Sequence, residues 1–177
     1  MNKLFLATAL LAAPLAARAD GGVRIGAEAN IATHDSSGTH AITDNWPLAG
    51  DLMLSYWTPG SFLSLDLEIS EQFFLNSPAG ASSRIGTVLR PGVRLTAPLL
   101  PVYARVALPI NLENATGERE KVDLRLGVGL NIPLVLFSIY LEGDADFPLS
   151  SSGTGPNSIS AFNQQAFWLS GGVDFRF

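Results

Sequence analysis

The sequence predicts an all-β protein, an eight-stranded antiparallel up-and-down transmembrane β-barrel. Three observations carry this reading. Eight segments alternate apolar and polar residues, the connections between them alternate long and short, and the apolar face stays almost free of charge in all eight. Successive side chains on a strand point to opposite faces, so sustained alternation is a strand signal and not a helical one. A barrel with one end on each side of a membrane has short turns at one end and longer loops at the other.

The first segment, Val23 to Ala32, sets Val23, Ile25, Ala27, Ala29 and Ile31 against Arg24, Glu28 and Asn30. The second, Ala49 to Trp57, sets Leu52, Leu54 and Tyr56 against Asp51 and Ser55. In the third, Leu63, Leu65, Leu67 and Ile69 alternate with Ser64, Asp66, Glu68 and Ser70. The fourth, Arg84 to Thr96, opposes Ile85, Leu89, Val93 and Leu95 to Arg84, Arg90 and Arg94. The fifth opposes Val102, Ala104, Val106, Leu108 and Ile110 to Tyr103, Arg105 and Asn111. In the sixth, Val122, Leu124, Leu126, Val128, Leu130 and Ile132 face away from Asp123, Arg125 and Asn131. The seventh places Phe137, Ile139, Leu141 and Phe147 against Ser138, Tyr140, Glu142, Asp144 and Asp146. The eighth, Ala166 to Phe177, carries Phe167, Leu169, Val173, Phe175 and Phe177 on one face and Trp168, Ser170, Asp174 and Arg176 on the other.

Residues 33–48, 75–83, 112–120 and 149–165 are long polar connections, whereas 58–61, 97–101 and 133–134 are short. An even strand count then puts both ends of the barrel on the short-turn side. Pro91 and Pro109 fall inside the fourth and fifth segments, where each removes a ladder donor. A closed barrel has no edge to hide that loss, so a bulge or altered strand limits are expected near each.

Residues 1–19, MNKLFLATALLAAPLAARA, combine Lys3, an apolar stretch from Leu4 to Leu15 and a small-x-small site at Ala17-Arg18-Ala19. That is the pattern of a secretory signal peptide, too short to count as a membrane span. Cleavage before Asp20 leaves residues 20–177 as one barrel domain. Without Lys3 and Arg18, nine basic residues remain against 16 acidic, a net charge of −7. No basic patch appears, which argues against a nucleic-acid partner. With no Cys, disulfides, thiolate metal sites and a lipoprotein anchor are excluded. After the signal, no apolar run approaches the ~20 residues of a transmembrane helix.

A soluble lipocalin-type barrel keeps its apolar face inside, and a bilayer barrel inverts it. Inversion is favoured because aromatics collect near strand ends, as interfacial girdles do. Tyr56, Trp57, Phe62, Phe137, Phe175 and Phe177 lie at one end, and Phe73, Phe74, Phe147, Phe162 and Phe167 at the other. The charged face also carries opposite signs on neighbouring strands.

The closing segment resembles that of Gram-negative outer-membrane β-barrels, with a polar residue, a Gly and two aromatics spaced as Ser170, Gly172, Phe175 and Phe177. The resemblance implies that these residues are read by the barrel-assembly machinery and that the chain resides in the outer membrane, among lipid and lipopolysaccharide. Across residues 20–177 the chain resembles the transmembrane domain of OmpA and the small OmpX-like barrels. This implies a structural or surface-contact role through long extracellular loops, as a monomer. The sequence stops at its closing strand, so no appended peptidoglycan-binding domain is expected.

Eight strands enclose a lumen that side chains just fill. The inward set comprises Arg24, Glu28, Asp51, Asp66, Glu68, Arg84, Arg90, Arg94, Arg105, Asp123, Arg125, Glu142, Asp144, Asp146, Asp174 and Arg176. Buried charges need partners, and guanidinium forks suit carboxylates, so an interior salt-bridge network is expected. Contacts between the third and fourth segments should belong to it. Paired acids such as Asp66/Glu68 or Glu142/Asp144 also fit acid–base work, but a structural plug accounts for them more simply.

The first long loop holds both histidines, and His34, Asp35, Ser36 and His40 form the alternative catalytic set. His beside Asp and Ser is the material of nucleophilic acyl chemistry. It is similar in residue type to the loops of PagP-like palmitoyltransferases that modify lipid A. The PagL-type deacylases place His and Ser on a late strand, and segments six to eight contain no His. A polar loop without convergent geometry explains His34 equally well, as it does a His34/Asp35/His40 metal site. No cofactor or metal is expected, and no motif in the loops names a partner.

Overall fold

The structure, a computed structural model, describes residues 21–35, 37–41, 47–57, 62–75, 83–114, 122–149 and 165–177. The signal segment 1–19, Ser36, Phe162, most of the long loops and the turn 58–61 lie outside these residues. Ten strands form one sheet: β1 (Gly21–Asp35), β2 (Gly38–Ala41), β3 (Pro47–Trp57), β4 (Leu63–Phe74), β5 (Arg84–Thr96), β6 (Val102–Ala107), β7 (Ile110–Asn114), β8 (Asp123–Pro133), β9 (Ser138–Pro148) and β10 (Gln165–Arg176). Eight staves result, because β6 and β7 are two parts of one and β2 only extends β1 above the rim. Each stave pairs antiparallel with its sequence neighbour, and β10 pairs with β1 to close the barrel. Closure runs from Gly22 opposite Arg176 to His34 opposite Gln165. Two further backbone bonds tie Gly21 to Phe177. A closed cylinder leaves no unpaired barrel edge, which a backbone surrounded by lipid requires.

Burial alternates along the staves with the charges inside. Arg90 and Arg94 are 0 % exposed, while Val128 is 69 % and Leu95 56 % exposed. Ile25, Leu65, Leu67, Ile132 and Ile139 continue the apolar exterior around the wall. A continuous apolar surface of this extent marks an interaction surface. Tyr56, Phe62, Phe175 and Phe177 are exposed at the turn end, where Phe175 meets Phe137 with ring centroids 6.0 Å apart.

The prolines concentrate at one interruption and cause no bulge. Pro109 lies in the gap between β6 and β7, yet the pairing with β5 keeps one register on both sides, Gly92 opposite Ala107 and Leu89 opposite Ile110. Pro91 sits inside β5, paired with Leu67 without a shift. Its carbonyl accepts from the Leu108 amide at 2.9 Å, so the donor it lacks would have pointed at the same broken stretch. Bulges occur elsewhere, between Asn30 and Ala32, between Gln72 and Phe73, and between Thr87 and Val88. A further departure from the alternation is the β1–β2 hairpin, which orders part of the first long connection.

Candidate functional site

The inward side chains of the described staves form a connected lattice of ion pairs. Near the turn end, Arg24 donates to Glu142 at 3.0 Å and to Asp174 at 3.5 Å. Arg94 reaches the same Asp174 oxygen at 3.5 Å, Asp66 at 3.4 Å and Ser55 at 2.9 Å, while the Asn131 amide donates to Asp174 at 3.1 Å. In the middle, Arg105 bridges Glu68 at 2.6 Å and Glu142 at 3.4 Å. Toward the loop end, Arg90 pairs with Glu28 and Glu68, and with Asp51 at 3.3 Å. Arg125 completes this level, 2.6 Å from Glu28 and held by both oxygens of Asp146 at 2.6 and 2.7 Å. Each acid that meets two guanidinium groups ties together staves that share no hydrogen bonds. Such pairs resist bending of the wall in a way the ladder alone cannot.

Two tyrosines share the inward face. The Tyr103 hydroxyl donates to Glu142 at 2.5 Å, and Arg24 stacks over the Tyr140 ring at 4.0 Å. Tyr103 stands opposite Gly129 and Tyr140 opposite Gly172, in the next stave but with Gly26 beyond it. A Cβ on Gly129 would run into the Tyr103 ring, and one on Gly26 into the Tyr140 hydroxyl. The glycines therefore make the slots in which the rings lie against the wall. A cavity of about 10 Å³, room for one water, lies among Arg24, Glu28, Glu68, Arg105, Tyr140 and Glu142.

Of the residues expected inside, Arg24, Glu28, Asp51, Asp66, Glu68, Arg90, Arg94, Arg105, Arg125, Glu142, Asp144 and Asp174 are buried together, with Asp146 at their margin. Three expectations need correction. Arg84 lies outside the lumen, because the bulge at Ile85 brings Arg84 opposite Phe73 and so turns it to the outer face. There it pairs with Glu71 and donates to Thr87 at 2.9 Å, and Thr87 donates to Glu71 at 2.7 Å. Arg176 is exposed at the turn-end rim, and Asp123 is half-buried at the start of β8. Both keep the inward parity but stand at the two ends of the lumen, outside the buried network. The sequence reading did not list Tyr103, Tyr140, Asn131, Ser55, Ser64 or Trp168 as members. Their shared parity with the charges was the signal that could have found them.

The loop histidines do not converge. His34 lies opposite Thr39, with Nδ1 2.8 Å from Thr39 Oγ1, whereas His40 lies opposite Thr33. Thr39 and His40 are successive residues on a strand, so the two imidazoles project from opposite faces of the hairpin. His40 Nε2 is instead 2.9 Å from Ser37 Oγ, a serine absent from the expected set. The Asp35 side chain and Ser36 lie outside the described residues. Among the described residues, no group of three His, Asp or Glu is arranged to hold a metal.

The residues expected to be read in assembly have structural work of their own. A Cβ on Gly172 would collide with the backbone of Ile25 and Gly26 across the closing seam. Ser170 is buried and donates to the Glu142 carbonyl at 3.4 Å, while Phe175 and Phe177 face outward.

Comparison with solved structures finds the same fold in Neisserial surface protein A. The two superpose with a TM-score of 0.55 at 14 % identity, over 89 % of this chain and 97 % of the other. At that identity the likeness establishes the eight-stranded barrel architecture. No protein-family model matches the sequence, and no curated protein matches it.

Proposed function

We propose that the chain is an integral outer-membrane β-barrel with a side-chain-filled lumen, acting as a structural or surface-contact protein through its loops. The observation that carries this reading is the inverted core: guanidinium and carboxylate groups inside, aliphatic side chains outside. Apolar wall and aromatic ends match the solvent order of a bilayer, hydrocarbon flanked by interfaces. The 1–19 segment would direct export, the closing strand would engage the assembly machinery, and lipopolysaccharide would surround the loop end. A closed plug is supported by the interior ion-pair network, in which the cavity beside Arg105 and Glu142 holds about one water. The test is fractionation of the envelope combined with gel migration before and after heating. Recovery in the outer membrane as a compact, heat-modifiable species supports the proposal, and recovery in the soluble periplasm removes it.

A second reading, a lipid A-modifying acyltransferase or deacylase, is favoured by the Ser37–His40 hydrogen bond. Its 2.9 Å length is that of a nucleophile and its base. Mass analysis of lipid A from cells with and without the protein separates the two readings.

A further inference from the structure

Two of the short turns are aliphatic at their tips. Between β5 and β6, Ala97-Pro98-Leu99-Leu100-Pro101 leaves both leucines exposed, Leu99 by 93 %. Between β8 and β9, Leu134, Val135 and Leu136 are all exposed, Val135 by 98 %. The two turns are neighbours. β6 pairs with β8, Val102 opposite Leu130, and the Pro101 carbonyl accepts from the Asn131 amide at 2.7 Å. Together the tips make an apolar ridge along one stretch of the turn-end rim. No charged residue occurs between Arg94 and Arg105, or between Arg125 and Glu142. An exposed apolar patch of this kind marks an interaction surface.

What covers the ridge follows from where it lies. Leu95, Leu130 and Ile132 are exposed on the outer wall just before the turns, so the ridge continues the aliphatic face of the barrel. Interfacial aromatics mark the level at which hydrocarbon gives way to headgroups. At the turn end, Tyr56 and Phe62 stand at β3 and β4, and Phe137, Phe175 and Phe177 at β9 and β10. No aromatic faces outward on β5, β6 or β8, whose one aromatic, Tyr103, is buried. On that arc the aliphatic surface runs to the turn tips without an aromatic stop. The turn backbones suit a dry surrounding as well, where unmet amide donors are costly. Pro98, Pro101 and Pro133 have no amide hydrogen to satisfy. The Ala97 amide donates to the Val102 carbonyl at 3.0 Å, and the Leu134 amide to the Phe137 carbonyl at 2.8 Å.

We infer that this ridge is a membrane-insertion element, seated below the headgroups of the leaflet at the turn end, with lipid acyl chains as its partner. The inference rests on the reading of the wall as a bilayer barrel, and it adds two turns to the surface that hydrocarbon covers. An apolar surface taller on one side is accommodated in a bilayer by tilting.

The experiment uses the single-thiol variants Leu99→Cys and Val135→Cys, each labelled with an environment-sensitive fluorophore, since the protein has no cysteine of its own. The barrel is refolded into phosphatidylcholine vesicles, and folding is checked by heat-modifiable migration. Each label is then challenged with acyl-chain-brominated lipid and with iodide present on both sides of the bilayer. Val128→Cys on the outer wall is the reference, and Leu100→Cys or Leu136→Cys replaces a turn variant that does not fold. Both turn labels are expected to lose fluorescence to brominated lipid as the Val128 label does, and to be unchanged by iodide. Turn labels quenched by iodide, with the Val128 label quenched by brominated lipid, would overturn the ridge and leave the bilayer barrel standing. A Val128 label quenched by iodide would overturn the barrel reading and the ridge with it. Turn labels reached by neither quencher would show a second copy of the chain covering the tips, which also overturns the proposal.

Discussion

Glu28 on β1 and Arg125 on β8 meet at 2.6 Å although 97 positions separate them in the chain. Two staves, β9 and β10, intervene between them around the wall, so this contact crosses the lumen. Glu28 also pairs with Arg90 on β5, on the other side. One carboxylate therefore links three non-adjacent staves.

Removing a partner from this lattice should leave a buried charge uncompensated. Arg90→Ala strips counter-charge from Glu28, Asp51 and Glu68 together. The expected cost is about 3–5 kcal/mol in a dry interior, read as a lowered denaturant midpoint of the barrel in vesicles. Glu28→Ala should fall in the same range. An Arg90→Ala barrel with the wild-type midpoint would mean that water, not protein, solvates these acids.

The outer wall should respond in the opposite sense to charge. Val128, midway along β8 and widely exposed, is expected to lie against hydrocarbon. Val128→Arg should then destabilise insertion by about 2–4 kcal/mol. Folding into vesicles across a urea series measures it. An unchanged folding midpoint would show this face to be wet.

The closing seam yields a third expectation. Gly172→Ala should reduce the heat-modifiable fraction strongly, because its methyl group meets the backbone of Ile25 and Gly26. Gly143→Ala should leave assembly intact, since nothing lies within 4 Å of the added carbon. Changing Phe175 and Phe177 to Asp should also block assembly, through the loss of the aromatic end of β10. Equal folded levels of Gly172→Ala and Gly143→Ala would separate the glycine from closure.

The contrast between these residues shows what was legible in the sequence. Alternation set the face of Glu68, Arg90 and Arg94 directly, because a strand has only two faces. Loop lengths set the up-and-down order for a similar reason. Arg84 was misread because one extra residue, Ile85, reverses every face beyond it, and a bulge leaves no mark in a pattern of hydrophobicity. The break at Pro109 was expected, but its even register was not, since only in three dimensions does the donor absent from Pro91 point at the interrupted stretch of the next stave. Which acid lacks a guanidinium could not be read either. Parity places Asp144 inside, while its pairing depends on the reach of side chains from four other staves.

For the hairpin, His34→Ala should leave both assembly and lipid A unchanged. Ser37→Ala and His40→Ala should do so as well if the protein is structural. Mass analysis of lipid A decides this. A modification that needs the wild-type protein and disappears in Ser37→Ala and His40→Ala would establish the enzyme reading instead.

The central claim is that the aliphatic face meets lipid while the charged face fills the lumen. The protein has no cysteine, so single thiols at Val128 and Leu65 can be introduced and labelled with an environment-sensitive fluorophore. The measurement is quenching of each label in vesicles, by lipids brominated along their acyl chains and by iodide in the water. Strong quenching by the brominated lipids with little effect of iodide is the expected result at both positions. Labels quenched by iodide and untouched by brominated lipid would contradict the inverted barrel.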